Sequence, residues 1–167
     1  MSRFVSEALA KHDRTTFGSG NDRIDGYFRA SVSQDTRRRY AACYVLVEKA
    51  TSKLAGFYTL SSTNIPLTNI QAEMARKLPR YPTVPAVLIG WLGRDLAFRG
   101  QDIGAMLLYD ASLRTATSPA GVHAICADAI DEAAAAFYRR LQFISGVGKP
   151  LSLFIPLATA LELIRGG

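Results

Sequence analysis

Cysteine is scarce in this chain: Cys43 and Cys126 are its only two. Thiols this few make no disulfide framework, and a reduced cytoplasm is the default compartment. Histidine is equally rare. His12 and His123 lack metal-ligand spacing with the cysteines, so no metal is expected. No paired histidine motif marks either thiol as a nucleophile. No apolar run approaches the ~18 residues that span a bilayer, so no membrane partner is expected. The stretch from Met1 to Arg14 lacks the apolar centre of a secretory signal. Repeats, low-complexity segments and breaks in composition are missing too. The expectation is therefore one globular domain over 1–167 with a proper core.

What is abundant is positive charge. The net charge is +6, and 49% of the residues are apolar. A basic domain of this size suits a polyanion such as nucleic acid or an anionic cofactor, or it owes its charge to solubility alone. Clusters at Arg37-Arg38-Arg39, at Arg76-Lys77 with Arg80, and at Arg139-Arg140 favour the first reading.

The elements follow from periodicity. Arg3 to Ala10 is a first strand or an irregular lead. Thr15 to Gly20 is a loop. Asn21 or Asp22 caps a helix with a stripe of Ile24, Tyr27, Phe28 and Val32, although Gly26 lowers its propensity. Arg37 to Arg39 end it, where cations complement the helix dipole. Tyr40 to Val47 and Leu54 to Ser62 alternate as an antiparallel hairpin around Lys49 to Lys53. Pro66 to Leu78 holds a short helix with Ile70, Met74 and Leu78 on one face. Pro79, Pro82 and Pro85 then stiffen an extended entry into a central strand. Gln101 to Thr117 is a helix, ended by Ser118 to Gly121. Val122 to Asp128 is a second buried strand. Asp131 to Leu141 is an alanine-rich helix. Phe143-Ile144 and Leu151 to Ile155 are late strands around a Gly146–Pro150 turn, and Leu157 to Ile164 is a final helix. The strand–helix–strand crossover makes the central strand and the next one parallel. The fold class is α/β (α+β), with a mixed sheet.

The chain is organised around Val87 to Leu108. An apolar strand breaks at Arg99-Gly100-Gln101-Asp102-Ile103-Gly104 and resumes with helical spacing at Ile103, Leu107, Leu108 and Ala111. A strand, a glycine turn and a helix start together offer free backbone N–H groups to an anion, and Arg99 adds a positive charge. A phosphate or pyrophosphate is the simplest ligand. Elsewhere, Asp128 and Asp131 are read as a turn and a helix cap rather than an acid–base pair.

Those six residues resemble the acyl-coenzyme-A pyrophosphate loop of the GNAT acetyltransferase superfamily, Q/R-x-x-G-x-G/A. Arg99 and Gly104 fill its ends, and Asp102 replaces the middle glycine. The resemblance is most specific to the bacterial toxins that acetylate aminoacyl-tRNA, the TacT- and AtaT-like proteins. Phe17-Gly18-Ser19-Gly20 with Ile24-Asp25 and Tyr27 resembles their F-x-x-G…L-D-x-(Y/W). Gly56-Phe57-Tyr58-Thr59-Leu60-Ser61 resembles G-Y-Y-T-L-S, and Leu78-Pro79-Arg80-Tyr81-Pro82 resembles L-P-R-Y-P. Ala133 to Phe143 resembles A-x-x-F-Y-x-x-x-G-F, with Gln142 in place of glycine. Where the branch has R-L-A-V-D, this chain has Trp91-Leu92-Gly93-Arg94-Asp95.

The resemblance implies a GNAT fold, with a splayed parallel strand pair flanked by helices. It implies acetyl-CoA as co-substrate, held at Leu92, Gly93, Arg99, Gly100, Gln101, Asp102, Ile103 and Gly104. Leu92 and Gly93 would polarise the thioester carbonyl. Gly93 fits physically, because glycine inside a strand marks a bulge or a close approach. Tyr138 would be the catalytic proton donor, its ordinary pKa of ~10 keeping it neutral at pH 7. Phe137 is assigned to packing. An α-amino acceptor with a pKa of ~8 needs no strong protein base. Lys77, Arg80, Arg139 and Arg140, with Arg37 and Arg38 as a second patch, would bind tRNA. A ribbon-helix-helix antitoxin and a homodimer are implied partners. The competing readings are a GNAT enzyme acting on a small amine or a protein N-terminus, and a degenerate GNAT fold that only binds.

Overall fold

Residues 2–166 are described by a computed structural model. The strands are β1 (Phe4–Ala8), β2 (Ala42–Glu48), β3 (Leu54–Pro66), β4 (Thr83–Arg94), β5 (Ala124–Asp128), β6 (Ile144–Gly146) and β7 (Lys149–Pro156). The helices are α1 (Asp22–Gly26), α2 (Val32–Arg37), α3 (Ala72–Ala75), α4 (Ile103–Ala116), α5 (Glu132–Arg140) and α6 (Leu157–Gly166). The strands form one seven-stranded sheet in the order β1-β2-β3-β4-β5-β7-β6. As expected, β4 and β5 are parallel, with Ala86 opposite Ala124 and Ile89 opposite Ala127. α4 makes the crossover between them. β1 is a true strand, antiparallel to β2, which settles the open reading of Arg3 to Ala10.

The chain clusters into two compact units, Met1–Ser61 with Gly90–Ala111, and Ser62–Ile89 with Ser112–Gly167. The first unit is built on aromatic packing. The rings of Phe28 and Phe57 stack with centroids 4.0 Å apart, and Phe17 meets both edge-on. Val32, Cys43, Val45 and Leu54 fill the space around them. The helix expected from Asn21 onward forms, and Asn21 Oδ1 accepts the Arg23 and Ile24 N–H groups. It is interrupted by a π turn at Tyr27–Ser31, where the Val32 N–H reaches back to the Tyr27 carbonyl. The extra residue sits just after Gly26, the weakest helix former in the stretch. Asp25 is buried, and its Oδ1 accepts both the N–H and the hydroxyl of Ser19. That pair of bonds fixes the Thr15–Gly20 loop against α1.

The second unit has its own aliphatic core of Ile65, Ile70, Val84, Ala86, Ala124 and Phe154. The expected Pro66–Leu78 helix is shorter, with a 3-10 turn at Leu67–Asn69 and then the single turn of α3. Ile70 is the buried pivot between the two. β4 starts at Thr83 and includes Pro85, whose carbonyl accepts the His123 N–H at 2.9 Å. Pro85 lacks an N–H but not an acceptor, so it sits in the strand rather than only leading to it.

Candidate active site

β4 ends at Arg94, and Asp95 opens the turn that follows. Asp95 Oδ1 accepts the Ala97 N–H and Oδ2 accepts the Gly18 N–H, so one carboxylate ties two loops of the first unit. A 3-10 turn at Leu96–Phe98 buries Phe98. Arg99, exposed and extended, leads into the candidate anion turn. Gly100 and Asp102 both lie in the left-handed region, at φ 75° and 59°. The first bond of α4 runs from the Met106 N–H to the Asp102 carbonyl. Among the described residues none accepts the N–H groups of Gly100, Gln101, Asp102, Ile103 or Gly104. A run of open N–H groups at the start of a helix of fourteen residues is the electrostatic requirement for phosphate. The Gln101 side chain faces elsewhere, accepting from Arg3 at 2.5 Å.

The left-handed φ explains why glycine is the usual residue where this chain carries Asp102. Aspartate is among the few side chains that tolerate that region. Its carboxylate is exposed, so the backbone N–H is presented while the negative charge stays in solvent. Asp102→Gly should therefore bind acetyl-CoA as tightly as the parent or more tightly, and unfold later by about 1 kcal/mol. Calorimetric titration with acetyl-CoA and thermal unfolding check this, and markedly weaker binding by the variant contradicts it.

Gly93 is required by packing. A Cβ there would lie 2.8 Å from Ile24 Cγ2 and 2.8 Å from Phe57 Cε1. On β3, a Cβ on Gly56 would lie 2.9 Å from the Gly93 carbonyl oxygen. The close approach expected of Gly93 is thus made by core side chains and by the Gly56 backbone. Beside it, Trp91 stacks on Tyr27 with centroids 4.3 Å apart, and the Trp91 N–H donates to Thr59 Oγ1 at 3.0 Å. The Tyr27 hydroxyl donates to Asp35 at 2.8 Å. The sequence carried no signal for this pairing, because the π turn that aims Tyr27 cannot be read from residue types.

Tyr138 lies in the second unit, on a helix fixed at both ends. At the start, Asp131 Oδ1 accepts the Ala134 N–H at 2.8 Å, so the expected cap is Asp131. At the end, the Phe143 N–H reaches the Tyr138 carbonyl and the Gln142 N–H reaches that of Arg139, a Schellman closure. Gln142 holds the left-handed position of that closure at φ 70°, the place where the toxin pattern has glycine. The Tyr138 ring is buried between Phe137 and Phe143, with centroids 5.2 Å from each. Its hydroxyl makes no hydrogen bond to a described residue. Burial pushes its pKa well above the ordinary tyrosine value, and the Asp128 carboxylate pushes the same way. The phenol is thus held neutral with a free O–H.

The basic candidates divide. Arg37 and Arg38 end α2 in the first unit and are exposed. In the second unit Lys77, Arg80 and Arg140 are exposed with no described partner. Arg139 is engaged, donating to Glu132 at 2.6 Å and to the Pro150 carbonyl at 3.0 Å. It braces α5 against the start of β7. Both thiols are unsuited to nucleophilic work, since burial pushes Cys43 and Cys126 up to about 12. Among the described residues no group of acidic, histidine and cysteine side chains could hold a metal.

No protein-family model matches the chain. It is 28% identical to a probable toxin TacT of Sinorhizobium fredii over 163 residues, 92% of this chain and 90% of that protein. It is 29% identical to a tRNA-acetylating toxin of Mycobacterium tuberculosis over 164 residues, 97% of this chain and 95% of that protein. Its structure matches a tyrosine-to-phenylalanine mutant of KacT with a TM-score of 0.88, at 26% identity over 97% of this chain and 99% of that one. It matches AtaT complexed with acetyl-methionyl-tRNAfMet with a TM-score of 0.85, at 25% identity over the same shares. In sequence and in fold the chain is thus similar to acetylating toxins. Its relatives are toxins of the TacT and AtaT kind.

Proposed function

We propose that this chain is an acetyl-CoA-dependent N-acetyltransferase, a type II toxin that acetylates the α-amino group of aminoacyl-tRNA and so blocks translation. The observation that carries the reading is the open turn at Gly100–Gly104, where backbone N–H groups have no acceptor of their own. They would take the pyrophosphate of acetyl-CoA, with Arg99 as counter-charge. The Leu92 and Gly93 backbone would polarise the thioester carbonyl, a contribution of about 3 kcal/mol to the barrier for one well-placed donor.

The reaction joins the acceptor nitrogen to the acetyl carbon and breaks the bond to sulfur. The nitrogen loses a proton and the coenzyme thiolate gains one. Tyr138 supplies that second proton from a phenol that burial keeps protonated. Lys77, Arg80, Arg140 and the Arg37-Arg38 pair would meet tRNA phosphates, while Arg139 contributes through its brace. A ribbon-helix-helix antitoxin covering these cations and a homodimer are further parts of the reading. No described helix is long and apolar enough to cross a membrane, and the reading places the chain in the cytoplasm with the translation machinery.

Incubation with labelled acetyl-CoA and total charged tRNA tests the proposal. Label should appear in N-acetyl-aminoacyl-tRNA and be lost on deacylation; label found only elsewhere refutes it. Binding of charged tRNA should weaken about 10³-fold or more between 50 and 200 mM salt if these cations neutralise several phosphates. A filter-binding series reads this, and a flat salt dependence contradicts the tRNA assignment.

A further inference from the structure

The second unit contains a cleft of about 300 Å³ that the proposed roles leave unused. Its apolar wall is Ile65, Leu88 and Phe154, and its polar rim includes Asn64, Asp128 and Lys149. That volume is at the small end of ligand pockets, ~300–1,000 Å³. That is room on the scale of an amino-acid ester rather than of a dinucleotide.

The rim is uncommitted. Asp131 caps α5, so Asp128 is not needed there. Asp128 is exposed, and its described hydrogen bond comes from the Ser152 hydroxyl to Oδ1, at 3.2 Å. Oδ2 is left open. Lys149 and the Asn64 side chain have no described partner. The groups facing Asp128 are known. Cys126 on the same strand is a neutral thiol, and Ser152 and Lys149 come from β7, while Tyr138 on α5 lies outside the cleft lining. After burial, the Asp128 carboxylate is the second cause that raises the Tyr138 phenol, so its charge is felt at the proton donor. A carboxylate and a lysine on one small rim with an apolar wall suit a ligand with an ammonium, an apolar side chain and a phosphate. The aminoacylated terminal nucleotide of tRNA has all three.

We infer that this cleft receives the acceptor end of the substrate, with Asp128 holding its α-ammonium beside Tyr138 and Lys149 meeting the terminal phosphate. The inference rests on the aminoacyl-tRNA reading and supplies the proton acceptor that reading lacked. The bound ammonium first releases one proton to solvent; as the neutral nitrogen then bonds to the acetyl carbon, it passes a second proton to Asp128. Tyr138 protonates the departing sulfur. Asp128 then returns its proton to the tyrosinate, so one proton moves in net from nitrogen to sulfur.

The test compares the full-length protein with Asp128→Asn and Asp128→Glu. Asp128→Asn should lower kcat/KM for charged tRNA about 100-fold, leave the acetyl-CoA Kd within twofold, and leave the unfolding midpoint unchanged. Asp128→Glu should recover part of the rate. A tRNA charged with an α-hydroxy acid serves as inhibitor, lacking the ammonium. The parent should bind it about 10-fold more weakly than the amino form, and Asp128→Asn should bind both alike. A variant that keeps both its rate and this discrimination overturns the inference. If the parent acetylates no charged tRNA, the functional reading fails instead. The cleft is then tested with alanine methyl ester by amide chemical shifts around Asn64 and Ser152. Shifts in the parent that Asp128→Asn abolishes uphold the ammonium pocket, and no shift in the parent overturns it.

Discussion

Tyr138→Phe should lose at least about 100-fold in kcat while binding acetyl-CoA as the parent does. The substitution removes one oxygen that bonds to no described residue and keeps the ring between Phe137 and Phe143. The folded state therefore loses little, and the unfolding midpoint should stay where it is. The pH profile gives a second reading of the same residue. Because burial raises the phenol pKa, the neutral donor persists beyond the ordinary tyrosine range near 10. The rate should climb as the acceptor amine deprotonates, with its reference pKa of ~8, and then stay flat to pH 10. A fall between pH 9 and 10 in the parent, absent in Tyr138→Phe, would show that the phenol titrates normally. Stopped assays of thiol release across this range measure both effects.

Gly93→Ala should damage both stability and catalysis. The new methyl would enter space held by Ile24 and Phe57, each 2.8 Å away, and Phe57 is fully buried in the aromatic core. Overpacking of this kind costs about 1–3 kcal/mol, which lowers the midpoint by roughly 5 °C in a chain of this size. Relief by moving the strand would shift the Leu92-Gly93 backbone, and with it the N–H assigned to the carbonyl. Loss of one such donor costs about 100-fold in kcat. Gly121→Ala is the control, because a Cβ there meets nothing within 4 Å. Thermal unfolding and acetyl transfer on the two variants read the outcome, and Gly93→Ala behaving like the control contradicts the packing account.

The parts of this molecule written in local residue types were legible in the sequence. Alternation marked β2 with β3 as its hairpin partner, a buried apolar stretch marked β5, and the parallel pair followed from the strand–helix–strand crossover. The anion turn was visible because Gly100 and Gly104 flank it. Asp102 could be reconciled with it only through the tolerance of aspartate for positive φ, which the 59° value matches. The parts that depend on tertiary contact were hidden. The residue pattern read Asp131 as a helix cap, which it is, and Asp128 as a turn residue, with no sign of the cleft that Asp128 lines. Arg139 looked like its neighbour Arg140 until its bonds to Glu132 and Pro150 appeared. The π turn at Tyr27–Ser31 and the stack of Tyr27 on Trp91 needed the aromatic core to be assembled first.

The account depends most on the turn from Gly100 to Gly104 gripping the acetyl donor through its backbone. Amide spectra of the 15N-labelled protein titrated with acetyl-CoA measure this directly, since glycine amides are well resolved. The Gly100 and Gly104 signals should move in proportion to occupancy and their hydrogen exchange should slow, as it should for Asp102 between them. Saturable binding that leaves these amides unmoved would contradict the account.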